Sequence, residues 1–338
     1  MECVIRPTLL EQKTYATFNG GERSNSLAGL CLELLSEQRE TWPLLRKGYE
    51  SLEKVRERLV PCKGFAVLLQ HNTGRMKSTM AHVGENDTSK RRCFLCLDHL
   101  PEGQKGILYR NQYLILCNPM PVFSSHFTIA HVSHRPQAVS EHIDIFLQLM
   151  SDLGSGWTLL YNGPKCGASA PDHFHFQAVP TGRMPIEKEL RREKRAARIT
   201  QVGQVALYHT KDLGREAIIL EGDDPIAVGS AFTGFLNALK KVLCKDEEPM
   251  INLAGFHEEA KWRLIIFTRR KHRPEAFFKT GDARVAVSPA VIEMGGVFVT
   301  PFAKDFERLD AATVESIYEE VSLGTKTVEG AVDAMGRQ

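Results

Sequence analysis

Apolar positions along the first part of the chain follow a helical period. Leu30, Leu34, Leu35, Leu45, Tyr49, Leu52 and Val55 recur at spacings that predict helix over residues 26–59, interrupted near Pro43, whose ring and missing N–H break the preceding turn. The pattern then shortens. An apolar run at 64–69, the turn-like His71-Asn72-Thr73-Gly74-Arg75 and a second extended stretch at 76–83 predict a hairpin. Strands are expected at 113–117, 126–130, 157–161 and 173–179, with a helix at 140–153 and a loop at 162–172. Residues 186–198 are dense in charge, and Glu187 with Arg191 at i,i+4 spacing predicts a solvated connecting helix. Strands at 204–209, 216–220, 250–255 and 262–268, with a helix at 227–242, then predict a second unit like the first. The order implies an α+β protein of antiparallel strands with helices to one side.

The two units echo each other at one place. Residues 126–136 and 262–274 both read as a strand that runs into a basic turn and then His-Arg-Pro. No His-x-His follows the second copy and no Cys pair precedes it, so only the first unit is expected to be catalytic.

Length and composition narrow the field. A chain of 338 residues can bury one large core or two moderate ones, since domains run to roughly 100–200 residues. The 43% hydrophobic and 25% charged content is that of an ordinary globular protein, and no apolar run is expected to reach the roughly 20 residues that span a bilayer. The opening Met1-Glu2-Cys3-Val4-Ile5-Arg6-Pro7 lacks a secretory pattern, which predicts a cytoplasmic protein with reduced thiols. The 8 cysteines then read as metal ligands, nucleophiles or small core residues, and only Cys93 and Cys96 are closely spaced. A net charge of +2 leaves no electrostatic footprint for nucleic acid.

The chemistry concentrates at His173-Phe174-His175-Phe176-Gln177. In a strand, His173, His175 and Gln177 share one face and the two phenylalanines the other, which makes one face polar and the other core. The preceding loop, Asn162-Gly163-Pro164-Lys165-Cys166-Gly167-Ala168-Ser169-Ala170-Pro171-Asp172, is rich in small residues that let backbone amides approach an anion. A neutral imidazole is a good nucleotidyl acceptor near neutral pH. Gln177 can bind and orient a phosphate oxygen but supplies no proton, which favours transfer to another phosphate over hydrolysis. Cys93-Phe94-Leu95-Cys96 has the spacing of half a tetrahedral metal site. His134 and His173 are the best candidates to complete it, with His131 and His99 as competitors. A metal bound there would be structural and would hold the histidine strand in place.

These residues resemble the branch of the histidine-triad superfamily that contains galactose-1-phosphate uridylyltransferase, diadenosine tetraphosphate phosphorylase and the GDP-hexose phosphorylases. The likeness rests on Tyr161-Asn162-Gly163, Gly167-Ala168-Ser169 and Asp172-His173-Phe174-His175-Phe176-Gln177. It extends upstream to Tyr113-Leu114-Ile115-Leu116-Cys117-Asn118-Pro119 with Pro121 and His126, and downstream to residues 291–299. The resemblance implies that His175 is the covalent nucleophile and that Gln177 contacts the phosphate. It also implies that His134, rather than His131, joins Cys93, Cys96 and His173 on structural zinc. Phe174 stands where the uridylyltransferases usually have Pro, and the loop Gly167-Ala168-Ser169 with the ending His175-Phe176-Gln177 reads closer to a phosphorylase-like or adenylyltransferase-like activity.

The fold expected is therefore two histidine-triad-like halves packed as a pseudo-dimer, the second degenerate. The expected division is a helical segment at 1–63, a catalytic half at 64–185, a charged connecting helix at 186–203 and a non-catalytic half at 204–338. Catalysis is assigned to His175, Gln177 and His173. Substrate binding is assigned to Asn118, Asn162, Gly163, Gly167 and Ser169, and Zn2+ to Cys93, Cys96, His134 and His173. The expected partners are a nucleotide substrate and a phosphate-bearing acceptor, with no nucleic acid and no membrane. A hydrolase of the same superfamily and a non-catalytic nucleotide-binding zinc protein are the alternatives. The sequence does not set the oligomeric state.

Overall fold

A computed structural model describes residues 7–21, 26–80, 91–190, 196–210 and 212–335. Its frame is an 11-stranded sheet among the described residues. One half of that sheet is built from β4 (Gly106–Tyr109), β5 (Tyr113–Cys117), β6 (Phe127–His131), β7 (Trp157–Asn162) and β8 (His175–Pro180), in the order β4-β5-β6-β8-β7. The other half comprises β9 (Ala196–Val202), β10 (Val205–Thr210), β11 (Ala217–Gly222), β12 (Ile251–Glu258) and β13 (Lys261–Thr268), in the order β9-β10-β11-β13-β12. The two orders are the same. The halves meet where β7 pairs antiparallel with β12, Asn162 opposite Asn252. The helices Ile143–Leu153 and Pro225–Leu243 occupy matching places, each leading into the strand at this seam.

This correspondence corrects the echo between 126–136 and 262–274. β13 takes the place of β8, while β6 corresponds to β11, so the two His-Arg-Pro segments follow non-equivalent strands. β13 reads Lys-Trp-Arg-Leu-Ile-Ile-Phe-Thr and carries no histidine in the place of His175.

The sheet is covered on both faces. Helices Leu27–Thr41, Ile143–Leu153, Pro225–Leu243 and Thr325–Met335 bury Leu34, Phe146, Phe232 and Val328 against Phe174, Phe176 and Ile266. On the other face a second sheet, β2 (Arg56–Pro61), β3 (Ala66–His71) and β14 (Val297–Thr300), packs Val67 and Phe298 near Leu160, Val179 and Ile265. Helices therefore cover one face and a small sheet the other.

Local chemistry sets the ends. Ser26 accepts the Gly29 N–H at 3.0 Å and starts its helix, and Pro43 opens the next one, Pro43–Leu52, at its first turn. The helix stops at Leu52 rather than 59, because residues 56–61 alternate and pair with β3. The hairpin here is thus β2–β3. Residues 76–79, expected to be extended, form the short helix Met76–Thr79, and 81–83 lie outside the described residues. The first 63 residues are not all helical either: β1 (Thr14–Phe18) pairs parallel with β4 on the edge of the main sheet.

The connecting helix is also corrected. Helix covers only Pro185–Glu189, residues 191–195 lie outside the described set, and Ala196–Val202 is the edge strand β9. Ile199, Thr200 and Val202 are β-branched and favour a strand. Glu187 is fully buried: its carboxylate accepts the Gly182 and Met184 N–H groups and the Thr158 hydroxyl. The helix Pro225–Leu243 has the length and composition to cross a membrane, contrary to the expectation from apolar runs. In the fold it buries Val228, Ala231, Phe232, Phe235, Leu236, Ala238 and Leu239 in the core.

Candidate active site and metal centre

The strand that carries His175 is anchored by its apolar face. Phe174 and Phe176 are fully buried, 4.8 Å apart edge to face, and Phe176 packs on Phe146 at 5.1 Å. That packing turns His175 and Gln177 to the opposite face, where they line a pocket of about 210 Å³. Thr128, Asn118, Asn162, Gly167 and Ser169 share this pocket, and Ala290, Ile292 and Glu293 enter it from beyond β13. His173 precedes β8 and does not line the pocket.

His175 is held both at its ring and at its backbone. Its Nδ1–H donates to the His173 carbonyl at 2.8 Å, which leaves the Nε2 lone pair as the reactive one. Its backbone is clamped by Gln137, whose Oε1 accepts the His175 N–H at 2.8 Å while Nε2 donates to the carbonyls of His175 and Asn162 at 2.9 and 3.0 Å. Burial lowers the His175 pKa, so the imidazole is neutral and nucleophilic near neutral pH.

Gln177 is oriented by a relay. The Val122 N–H donates to His126 Nδ1 at 3.2 Å, which puts the proton on Nε2, and that N–H donates to Gln177 Oε1 at 2.8 Å. The amide NH₂ of Gln177 is thereby left for the pocket. His126 is fully buried and its pKa is lowered to about 4, first by burial and then by the nearby Arg75, so the relay holds a neutral ring.

The proposed binding residues divide. Asn118, Asn162, Gly167 and Ser169 line the pocket; Gly163 does not, and its N–H donates to Ile251 O at 3.1 Å across the seam. Gly163 is therefore a structural part of the β7–β12 junction rather than an amide of the anion loop. Gly167 sits at φ +98°, and a Cβ there would lie 2.6 Å from Ala290 Cβ. Asn162 Oδ1 accepts from Asn252 Nδ2 and from the Val291 N–H, both at 2.8 Å, tying the loop to the second half. The N-terminal helices also support the site: a Cβ on Gly48 would fall 2.0 Å from the carbonyl oxygen of Pro119, in the turn after Asn118.

Cys93, Cys96, His134 and His173 converge so that one ligand atom from each lies within 4.8 Å of the others. His173 Nδ1 is 3.3 Å from Cys93 Sγ and 3.6 Å from Cys96 Sγ, and His134 Nδ1 is 3.2 Å from Cys96 Sγ. A tetrahedral ion with metal–sulfur bonds of about 2.3 Å and metal–nitrogen bonds of about 2.0 Å needs S···N edges of about 3.5 Å, so the donor set fits such an ion. The His173 Nε2–H donates to His131 O at 2.7 Å, which turns Nδ1 toward the thiols. His131 and His99 are not in the cluster; His99 Nδ1 binds the Cys93 carbonyl at 2.8 Å. His173 thus joins two sites, its ring in the cluster and its carbonyl on His175.

Sequence reasoning missed Gln137, Arg91 and Glu293. Arg75, Arg91 and Glu293 line the pocket. The spacing of these residues carries no local signature, and only the fold brings them to His175.

Comparison with known proteins agrees with this architecture. The profile of a domain of unknown function (DUF4922) matches residues 34–180, which span the Cys pair and β8. No curated protein matches the chain. Among solved structures, yeast Ap4A phosphorylase Apa2 is similar at a TM-score of 0.52 and 13% identity, over 85% of this chain and 97% of that one. The same enzyme in complex with Ap4A gives a TM-score of 0.52 and 11% identity, over 84% and 97%. A DUF4931 family protein from Bacillus cereus ATCC 10987 gives 0.35 and 10%, over 49% and 86%. The chain therefore has the α+β fold of yeast Ap4A phosphorylase Apa2, and the resemblance to the phosphorylase branch read from the sequence is met at the level of fold.

Proposed function

We propose that the protein is a nucleotidyltransferase of the phosphorylase type, acting on a dinucleoside polyphosphate or a nucleotide sugar through a nucleotidyl-histidine. The observation that carries this reading is the His175 ring, held with Nδ1–H on the His173 carbonyl and Nε2 free, in a pocket shared with Gln177 and the loop of Gly167 and Ser169. The Nε2 lone pair attacks the α-phosphorus, a P–N bond forms, and the P–O bond to the departing phosphate-bearing group breaks in line. The positive charge left on the ring is met by the Nδ1–H···O=C hydrogen bond. A second phosphate oxygen then attacks the same phosphorus and the P–N bond breaks, so the ring returns unchanged.

The Gln177 NH₂ binds a nonbridging oxygen in both steps and moves no proton, which favours a phosphate acceptor over water. The similarity to an Ap4A phosphorylase supports a dinucleoside polyphosphate as the first donor to try. We assign zinc to Cys93, Cys96, His134 and His173; four protein ligands leave no open position, so the ion holds the segments that carry His173 and, through its carbonyl, His175. The two thiolates suit a reducing compartment, and we place the protein in the cytoplasm.

The test is product analysis of zinc-loaded protein with Ap4A, other dinucleoside polyphosphates and nucleotide sugars, with and without inorganic phosphate. Turnover that requires phosphate and yields a nucleoside diphosphate is expected. Equal turnover without phosphate would make it a hydrolase, and saturable binding without turnover of any donor would make it a binding protein.

A further inference from the structure

The half that carries no histidine in the place of His175 is joined to the pocket through a buried arginine. Arg269 follows β13 and is 1% exposed. Its Nε donates to Val321 O at 3.2 Å, Nη1 to Pro289 O at 3.0 Å and to Asn252 Oδ1, and Nη2 to the carbonyls of Lys271 and His272, both at 3.0 Å. All of these acceptors are neutral. A buried cation bonded only to neutral groups is a poor source of stability, because its desolvation is costly.

What the cation does set is direction. A guanidinium has donors only, so Asn252 must turn Oδ1 toward it and Nδ2 away. That Nδ2 donates to Cys166 O and to Asn162 Oδ1, both at 2.8 Å, across the seam where Asn252 stands opposite Asn162. The Val291 N–H donates to the same Asn162 oxygen at 2.8 Å. With Oδ1 committed twice, Asn162 has Nδ2 left for the pocket that it lines with His175. A reversed Asn162 amide would set its NH₂ against the Asn252 NH₂ and the Val291 N–H, so the relay admits one orientation.

We infer that Asn252 and Arg269, both on the second half, are positioning residues for the active pocket of the first: Arg269 directs Asn252, and Asn252 fixes Asn162 so that a hydrogen-bond donor, and not an acceptor, meets the substrate. This rests on the nucleotidyltransferase reading above. A nucleotide presents oxygen acceptors at its phosphates and ribose, and a donor already locked in place loses little freedom on binding one of them. Neither Arg269 nor Asn252 touches the substrate, and both act through Asn162.

The test is a double-mutant cycle read by calorimetric titration of the zinc-loaded protein with ADP and with GDP. Asn252→Asp keeps the shape of the side chain and gives Arg269 a carboxylate, but it sets an oxygen against Asn162 Oδ1, so the Asn162 amide turns and shows its own oxygen to the ligand. Affinity for the diphosphate that the wild type binds should fall about tenfold or more. In an Asn162→Ala background no amide remains to be turned, and the same substitution should change affinity by no more than about threefold. Asn252→Asp should also unfold at a higher urea concentration than Asn252→Leu, since only the carboxylate still meets Arg269. Wild-type affinity in Asn252→Asp, or an equal loss in both backgrounds, would overturn the inference while leaving the nucleotidyltransferase reading in place, and equal urea midpoints would remove Arg269 from the relay. If neither diphosphate binds the wild type, the functional reading itself fails and this assignment falls with it.

Discussion

Replacing Gln137 by Met removes the clamp on the nucleophile while nearly conserving volume. Gln137 is buried, and its amide makes three hydrogen bonds to the backbone of His175 and Asn162, between 2.8 and 3.0 Å long. Methionine fills the space but accepts and donates nothing comparable. The His175 N–H would lose its partner inside the protein, at about 1–3 kcal/mol, and two further hydrogen bonds would be lost at about 1 kcal/mol each. The expected destabilisation is about 3–5 kcal/mol, read as a lower urea midpoint with an unchanged slope. The second effect is on geometry. A displacement of the reacting group by about 1 Å costs on the order of 100-fold in rate, so single-turnover nucleotidylation of His175 should slow by that order. Gln137→Glu sharpens the comparison, because a carboxylate still accepts the His175 N–H but repels the two carbonyls. Gln137→Met with a midpoint and single-turnover rate like those of the wild type would refute the clamp.

Three other outcomes follow from the geometry. Wild-type protein should contain one zinc per chain by elemental analysis, and Cys96→Ser should lose it together with roughly 4 kcal/mol of stability, the value for an ion at a thousandfold its Kd; His99→Ala should keep the metal. Gly167→Ala should destabilise by about 2 kcal/mol and weaken nucleotide binding in a titration, because φ +98° disfavours a side chain and its Cβ would collide with Ala290. His126 is held neutral, its pKa lowered from 6.5 to about 4, so the unfolded state binds more protons in that interval. Its stabilising effect is present above pH 6.5 and is lost as pH falls toward 4, by up to about 3 kcal/mol. The difference between wild-type and His126→Asn urea midpoints should shrink over that range, and a constant difference would contradict it.

Most elements of the sheet were legible because alternation and helical spacing are local signals. Pro43 marked a helix break for a local reason, and the strands of both halves fell within a few residues of their expected places. The four residues expected to hold metal converge, which a Cys pair and two histidines on separate elements do not reveal by spacing alone. What failed was of another kind. Residues 186–198 carried helical charge spacing, but the partners of Glu187 are Thr158, Gly182 and Met184, and the partner of β9 is β10. Tertiary contacts overrode the local pattern. The Gly163 amide looked available for an anion until β12 took it. Gln137 acts on groups that are distant in sequence, and a buried polar side chain of that kind leaves no period to read.

The central claim is that His175 becomes covalently nucleotidylated. Its most direct test is intact-protein mass spectrometry of wild type and His175→Ala, after brief incubation with dinucleoside polyphosphates and nucleotide sugars in the absence of phosphate. The account predicts an acid-labile adduct of one nucleotide mass on the wild type alone, discharged on adding phosphate. An adduct that persists in His175→Ala, or turnover of a donor with no adduct on the wild type at any time, would contradict it.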